Sequence, residues 1–266
     1  MEKDRKLFLK KVKKQNKLEF KSIKKTHKFI KKNNKRIIKS LKPKKYHAEP
    51  PKRSVLEEIG SAVSHGIGAI LSIVGLVLLL IKANTSLEVF SAVIFMSCMF
   101  IMYLNSCLYH SWKWGKRVKR IWRRFDYTSI YLLIAGTFAP IQLVVLERAY
   151  GQTGHIIGLI YFIVMWVLFI TGITLTCVFG PENVRKVNFP LYFVGGWSAI
   201  FMVPGWIKYN SNFALWIFIG GVIYSLGMIP FGLLRNKGGA HFIWHIFVLL
   251  GSICHFFAMY LFVYNI

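Results

Sequence analysis

The sequence predicts an all-α integral membrane protein: a seven-transmembrane helix bundle with its N-terminus cytoplasmic and its C-terminus outside, preceded by a basic tail. Three observations carry this. The 266 residues are 55% hydrophobic and 16% aromatic, too apolar for a soluble domain to hide inside one core. Seven apolar stretches reach the length of about 20 residues that crosses the hydrocarbon core of a bilayer. Charge is uneven: residues 1–53 hold 22 of the 36 Lys and Arg, with Glu2, Asp4, Glu19 and Glu49 as their acids. The chain therefore divides into a basic cytoplasmic tail, 1–53, and a seven-helix membrane domain, 54–266, that is expected to carry an intramembrane metal site.

The tail comes first. Phe20, Ile23, Ile30, Ile37 and Leu41 are spaced so that a helix would gather them on one side of a basic cylinder lying on anionic lipid. Low hydrophobicity and high charge favour a disordered, solvated arm over that helix. The positive charge would also attract nucleic acid, but no aromatic interleaving supports it, so no specific nucleic-acid partner is expected. The first apolar run starts about sixty residues in and has the length of a full span, without an outstanding small-residue cleavage site, so it is expected to stay as an anchor rather than act as a signal peptide.

The spans are Ser61–Ile81, Val89–Tyr109, Tyr127–Leu146, Ile156–Phe179, Phe189–Ile207, Phe213–Leu234 and His241–Tyr264. None contains Lys, Arg, Asp or Glu. Pro140, Pro190, Pro204 and Pro230 lie within them or at their edges, where neighbouring helices can satisfy the freed carbonyls and local kinks are expected. Cys98, Cys107, Cys177 and Cys254 sit inside apolar runs and suggest neither a disulfide framework nor a CxxC metal pair. Orientation follows from the loops. The tail, the run KWGKRVKRIWRR after span two, Arg185 and Lys186 after span four, and Arg235 and Lys237 after span six are basic, while the other connections carry Lys82, Arg148 and Lys208. Cytoplasmic loops collect Lys and Arg, which places the tail inside, in a multi-pass protein of the cell membrane.

That topology assigns a depth to each unusual polar residue. His110 ends span two, Asp126 precedes span three and His241 opens span seven, all at the cytoplasmic ends. His245 lies one turn deeper on the face of His241. Two histidines at i and i+4 can share one metal ion, and HFIWH has the spacing of HExxH without its internal Glu. A third imidazole from His110 would complete a three-histidine set with the fourth tetrahedral position open, the arrangement of a catalytic zinc. Asp126 would accept a proton or orient a ligand, and Ser106, four residues before His110, would donate a hydrogen bond to the site. Taken singly, a histidine in a span is ordinarily a hydrogen-bonded bundle residue. His255, about 15 Å beyond His245 along the helix, is assigned that role. His65 is at the right depth and stays open as a supporting residue, while Glu57 and Glu58 are read as charges complementing a helix dipole.

Four blocks in order, EEIGSAVSHGIGAILSIVGL, SCLYHSW, DYTSIYLLIAGTFAP and HFIWHIFVLLGSICHF, resemble the hemolysin III proteins, the bacterial branch of the progestin and adiponectin receptor family. The resemblance covers Glu57 to Tyr264. It implies a seven-helix fold with intramembrane zinc on His110, His241 and His245, and a serine and aspartate at Ser106 and Asp126. Ser61 and Ser64 stand where many relatives have Asn and Thr. The tail has no counterpart. Through the wider superfamily the resemblance implies a hydrolase of lipid amides or esters, with membrane lipids as partners. Two other functions stay open: a receptor-like or membrane-homeostasis protein with structural zinc, and the cytolysin of the family name, which seven resident spans do little to support.

Overall fold

The computed structural model describes residues 1–41, 49–234 and 237–264. It falls into two units, Met1–Ala48 and Glu49–Ile266. The first is built on one helix, Glu2–Leu41. Where composition favours a disordered arm, a helix runs without interruption because the stretch contains neither Gly nor Pro until Pro43. It ends just before that proline, which disfavours helical geometry at the residue preceding it.

The second unit contains seven helices long and apolar enough to cross a membrane: Val55–Lys82, Ser86–Ser111, Arg117–Tyr150, Gln152–Phe179, Arg185–Tyr209, Ser211–Gly232 and Ala240–Val263. They are referred to as spans one to seven. No strand is present among the described residues. Polar caps set three starts: the Ser54 hydroxyl accepts the Glu57 N–H at 3.1 Å, Thr85 does the same for Glu88 at 3.2 Å, and the Asn210 side-chain oxygen does so for Phe213 at 3.1 Å. Span three begins earlier than its apolar run, at Arg117, because RVKRIWRR contains no helix breaker. Asp126, expected just ahead of the span, therefore lies inside its helix. Arg235, one of the charges used for orientation, is outside the described residues.

Two of the four prolines adjoin local departures from α geometry, while Pro190 and Pro230 lie within continuous α-helix. Pro140 is followed by a π-helical turn, Ile141–Val145, and Pro204 sits in the first turn of a helical segment that follows a 3-10 stretch, Ser198–Met202. Span three is the central post of the bundle: 83% of its apolar window is buried, against 17–50% for the other six. Span four closes onto it through Gly154 and Gly158. A Cβ at Gly158 would stand 1.7 Å from the Gln142 carbonyl oxygen, and one at Gly154 1.9 Å from that of Leu146. This small-xxx-small spacing lets the two backbones touch, as membrane helices do when lipid leaves them no hydrophobic drive to associate.

Candidate metal centre

The site is assembled from the ends of four helices. Span two delivers His110 from its last turn, and span seven delivers His241 and His245 from successive turns of one face. The Nε2 of His241 lies 3.1 Å from the Nε2 of His110 and 3.1 Å from that of His245. One ligand atom from each of the three residues falls within 4.8 Å of the others, and all three side chains are buried. A ring nitrogen holds either one proton or one lone pair, so the His241 Nε2 can satisfy only one of its two neighbours by a hydrogen bond. A cation at the point of convergence would take all three lone pairs. Nitrogens at 2.0–2.1 Å from a tetrahedral zinc stand about 3.3 Å apart, close to the spacing found here, so the donor set fits a metal.

The surrounding residues fix this arrangement. The Nδ1 of His110 lies 2.6 Å from Glu58 Oε2, and the Lys119 ammonium lies 2.9 Å from the same oxygen. A carboxylate accepts, so His110 Nδ1 is the donor and its Nε2 keeps the lone pair that a metal needs. Lys119, only 1% exposed, also donates to the Tyr109 carbonyl at 3.2 Å. Glu57 accepts the backbone N–H of His241 at 3.2 Å, satisfying an orphan donor at the start of span seven. The two acids thus do more than complement the helix dipole of span one. Both do sit in the first turn of span one, but their carboxylates reach across to spans two, three and seven, because this helix end is packed against those spans rather than open to water.

A cavity of about 400 Å³ lies beside the histidines. Its wall includes His241, His245, Asp126, Ser106 and His65, and is otherwise mostly apolar. Ser106 and Asp126 face the same cavity from spans two and three. His110 is absent from the wall and completes the group from behind it. The cavity extends to Phe193 and Ile200 of span five and Phe218 of span six, which are 46%, 57% and 56% exposed. The cavity thus runs from the histidines to solvent-accessible apolar residues of spans five and six.

His65 packs its ring against His245 at 3.9 Å between centroids, and no well-formed hydrogen bond holds either of its nitrogens among the described residues. His255 is set apart from the trio. Its Nε2 donates to the Ile217 carbonyl at 3.0 Å, between spans seven and six, although its ring also borders the cavity. Lys119 escaped sequence reasoning because it is one of seven cations in a basic run, with nothing to single it out. The paired acids Glu57 and Glu58 did carry a signal, standing about two turns before His65 on the same helix.

Comparison with known proteins follows the same boundaries. A family model described as Haemolysin-III related matches residues 53–256. Hemolysin-3 of Bacillus cereus is 36% identical over 213 residues, covering 79% of this chain and 93% of that protein. The Hemolysin-3 homolog of Bacillus subtilis (strain 168) is 36% identical over 211 residues, 77% of this chain and 94% of its own length. The human monocyte to macrophage differentiation factor is 24% identical over 221 residues, 80% of this chain and 87% of that protein. With seven membrane-crossing helices and a three-histidine group able to hold a metal ion, the chain belongs to the haemolysin-III related family of multi-pass cell-membrane proteins.

Proposed function

We propose that the protein is a zinc-dependent hydrolase that cleaves the amide or ester bond of a membrane lipid. The observation that carries this reading is the cavity, which brings the Asp126 carboxyl, two of the three histidines and accessible apolar residues of spans five and six together in one mostly apolar space. A ligand set of three imidazoles suits zinc and leaves a tetrahedral position free. Bound there, zinc supplies an acidified water and a Lewis acid for the scissile carbonyl.

The chain's own residues do the rest. His110, His241 and His245 hold the metal, and Glu58 keeps His110 in the required tautomer. Asp126 takes the proton from the attacking water and returns it to the leaving nitrogen or oxygen, so that a fatty acid and an amine or alcohol are released. Ser106 orients the Asp126 carboxyl. The apolar wall accommodates the acyl chain, which enters between spans five and six, and keeps bulk water from the reaction. The loop charges put this chemistry near the cytoplasmic face.

The test is fatty-acid release from a panel of lipid amides and esters by the purified, zinc-loaded protein. Wild type should release it and Asp126→Asn, with zinc retained, should not. Absence of release from every substrate by metal-loaded wild type would sink the hydrolase reading.

One arrangement favours a second reading. The histidines join spans two and seven, and Glu57 and Glu58 add span one, so a metal there would clamp three helix ends as a structural element. In that case chelation should lower the melting temperature with no catalytic consequence. The lytic activity named in the two Bacillus relatives is a third possibility; erythrocyte lysis by the purified protein would bring it to this chain.

A further inference from the structure

The helix Glu2–Leu41 lies outside the residues shared with the family, and its side chains are sorted by charge around its axis. At 100° per residue, Phe8, Val12, Phe20, Ile23, Ile30 and Ile37 fall within an arc of about 120°. On that arc, from residue 6 to residue 38, Glu19 is the one charged residue. Every Lys and Arg from Lys6 to Arg36 falls in a separate arc of about 160°. Leu7, Leu18 and Phe29 lie among or beside the cations. The apolar arc is uncovered: Val12 is 38% exposed and Phe20 70%.

Such a helix has two unmet needs in water. Its apolar arc stays hydrated, and pairs such as Lys10 and Lys14, Lys17 and Lys21, and Lys28 and Lys32 repel at i,i+4. A nucleic acid would answer the second need alone. A second copy of the helix would answer the first while bringing two strongly basic cylinders together. An anionic phospholipid surface answers both, with phosphates for the lysines and an acyl boundary for the apolar arc. Residues 42–48 tether the helix to a unit that crosses a bilayer, so such a surface is within reach at high effective concentration. We propose that Glu2–Leu41 is an interfacial helix that lies in the plane of an anionic bilayer surface, its Phe8 to Ile37 arc inserted at the acyl boundary and its lysines at the lipid phosphates.

The test is amide hydrogen exchange over residues 2–41 of the full chain in nanodiscs. Discs of phosphatidylcholine alone are compared with discs that also contain phosphatidylglycerol. Phosphatidylglycerol should slow exchange by about tenfold or more, and added salt should weaken the effect. Ile23→Asp with Ile30→Asp should remove the protection while exchange in the seven spans stays unchanged, and Lys24→Glu with Lys28→Glu should reduce it. Equal exchange in the two lipids would overturn the proposal. So would protection by added RNA but not by phosphatidylglycerol, or protection that grows with the number of chains per disc. Protection that survives the aspartate pair would show that the apolar arc is not inserted, and would overturn it as well.

Discussion

The two ends of the bundle solve the same packing problem differently. Span two carries Glu88 in its first turn and His110 in its last, and at each end a buried polar group ties it to spans three and seven. At the Glu88 end the accounts close. Glu88 accepts the Arg148 guanidinium at 2.7 Å through one oxygen and the Asn84 N–H at 2.9 Å through the other. Arg148 also donates to the Val263 carbonyl at 2.6 Å, and the Ser91 and Tyr264 hydroxyls pair at 2.7 Å. Donors and acceptors match, as a purely structural buried network requires. At the His110 end one outer ring nitrogen, Nδ1 of His110, is anchored by the Glu58 carboxylate, and His245 Nδ1 has no hydrogen-bond partner among the described residues, while three inner nitrogens face one another and cannot all be paired by hydrogen bonds. A satisfied network holds helices together, whereas this one is complete only when something binds it.

The comparison can be broken most sharply at the histidines. His241→Ala leaves two ligands, so the metal content of the purified protein should fall from about one per chain to nearly none, measured by elemental mass spectrometry. An unchanged metal content would mean that the three nitrogens do not form the site.

Asp126→Asn should keep the metal but lower lipid hydrolysis by about 100- to 10,000-fold, the range set by a lost proton acceptor. Full turnover in that variant would remove Asp126 from the mechanism. Glu58→Gln removes the charge that anchors His110 and leaves Lys119 buried without its ion-pair partner. Metal affinity, read by chelator competition, should drop about 10- to 100-fold; an unaltered affinity would return Glu58 to its role at the helix terminus.

The smallest effect should come from the other end. Glu88→Ala leaves Arg148, with its side chain 35% exposed, without its ion pair, and should cost about 2 kcal/mol of stability, seen as a lower melting temperature. Metal content should not change. If it did, the two ends would be coupled and the contrast between a closed network and an open one would fail.

The amino-acid sequence by itself determined the seven spans, the common depth of His110, Asp126 and His241, and the pairing of His241 with His245. These are properties of one segment at a time: apolar length, proximity to a loop, and the 3.6-residue turn. Tertiary structure alone decided that Glu58 and Lys119 stand behind His110, that Glu57 caps span seven, and that the cavity runs from the histidines to spans five and six. Those facts depend on how each helix is rotated about its own axis, and hydropathy is nearly blind to rotation when a helix is apolar all round. Rotation is fixed by close fits between distant residues. Gly60 leaves room for the Phe242 ring, whose Cε2 would stand 2.9 Å from an added Cβ, and Gly68 does so for Tyr103, whose Cδ1 would stand at 2.7 Å. These contacts turn span one so that its two acids and His65 face spans two and seven, and no pattern along the chain announces them.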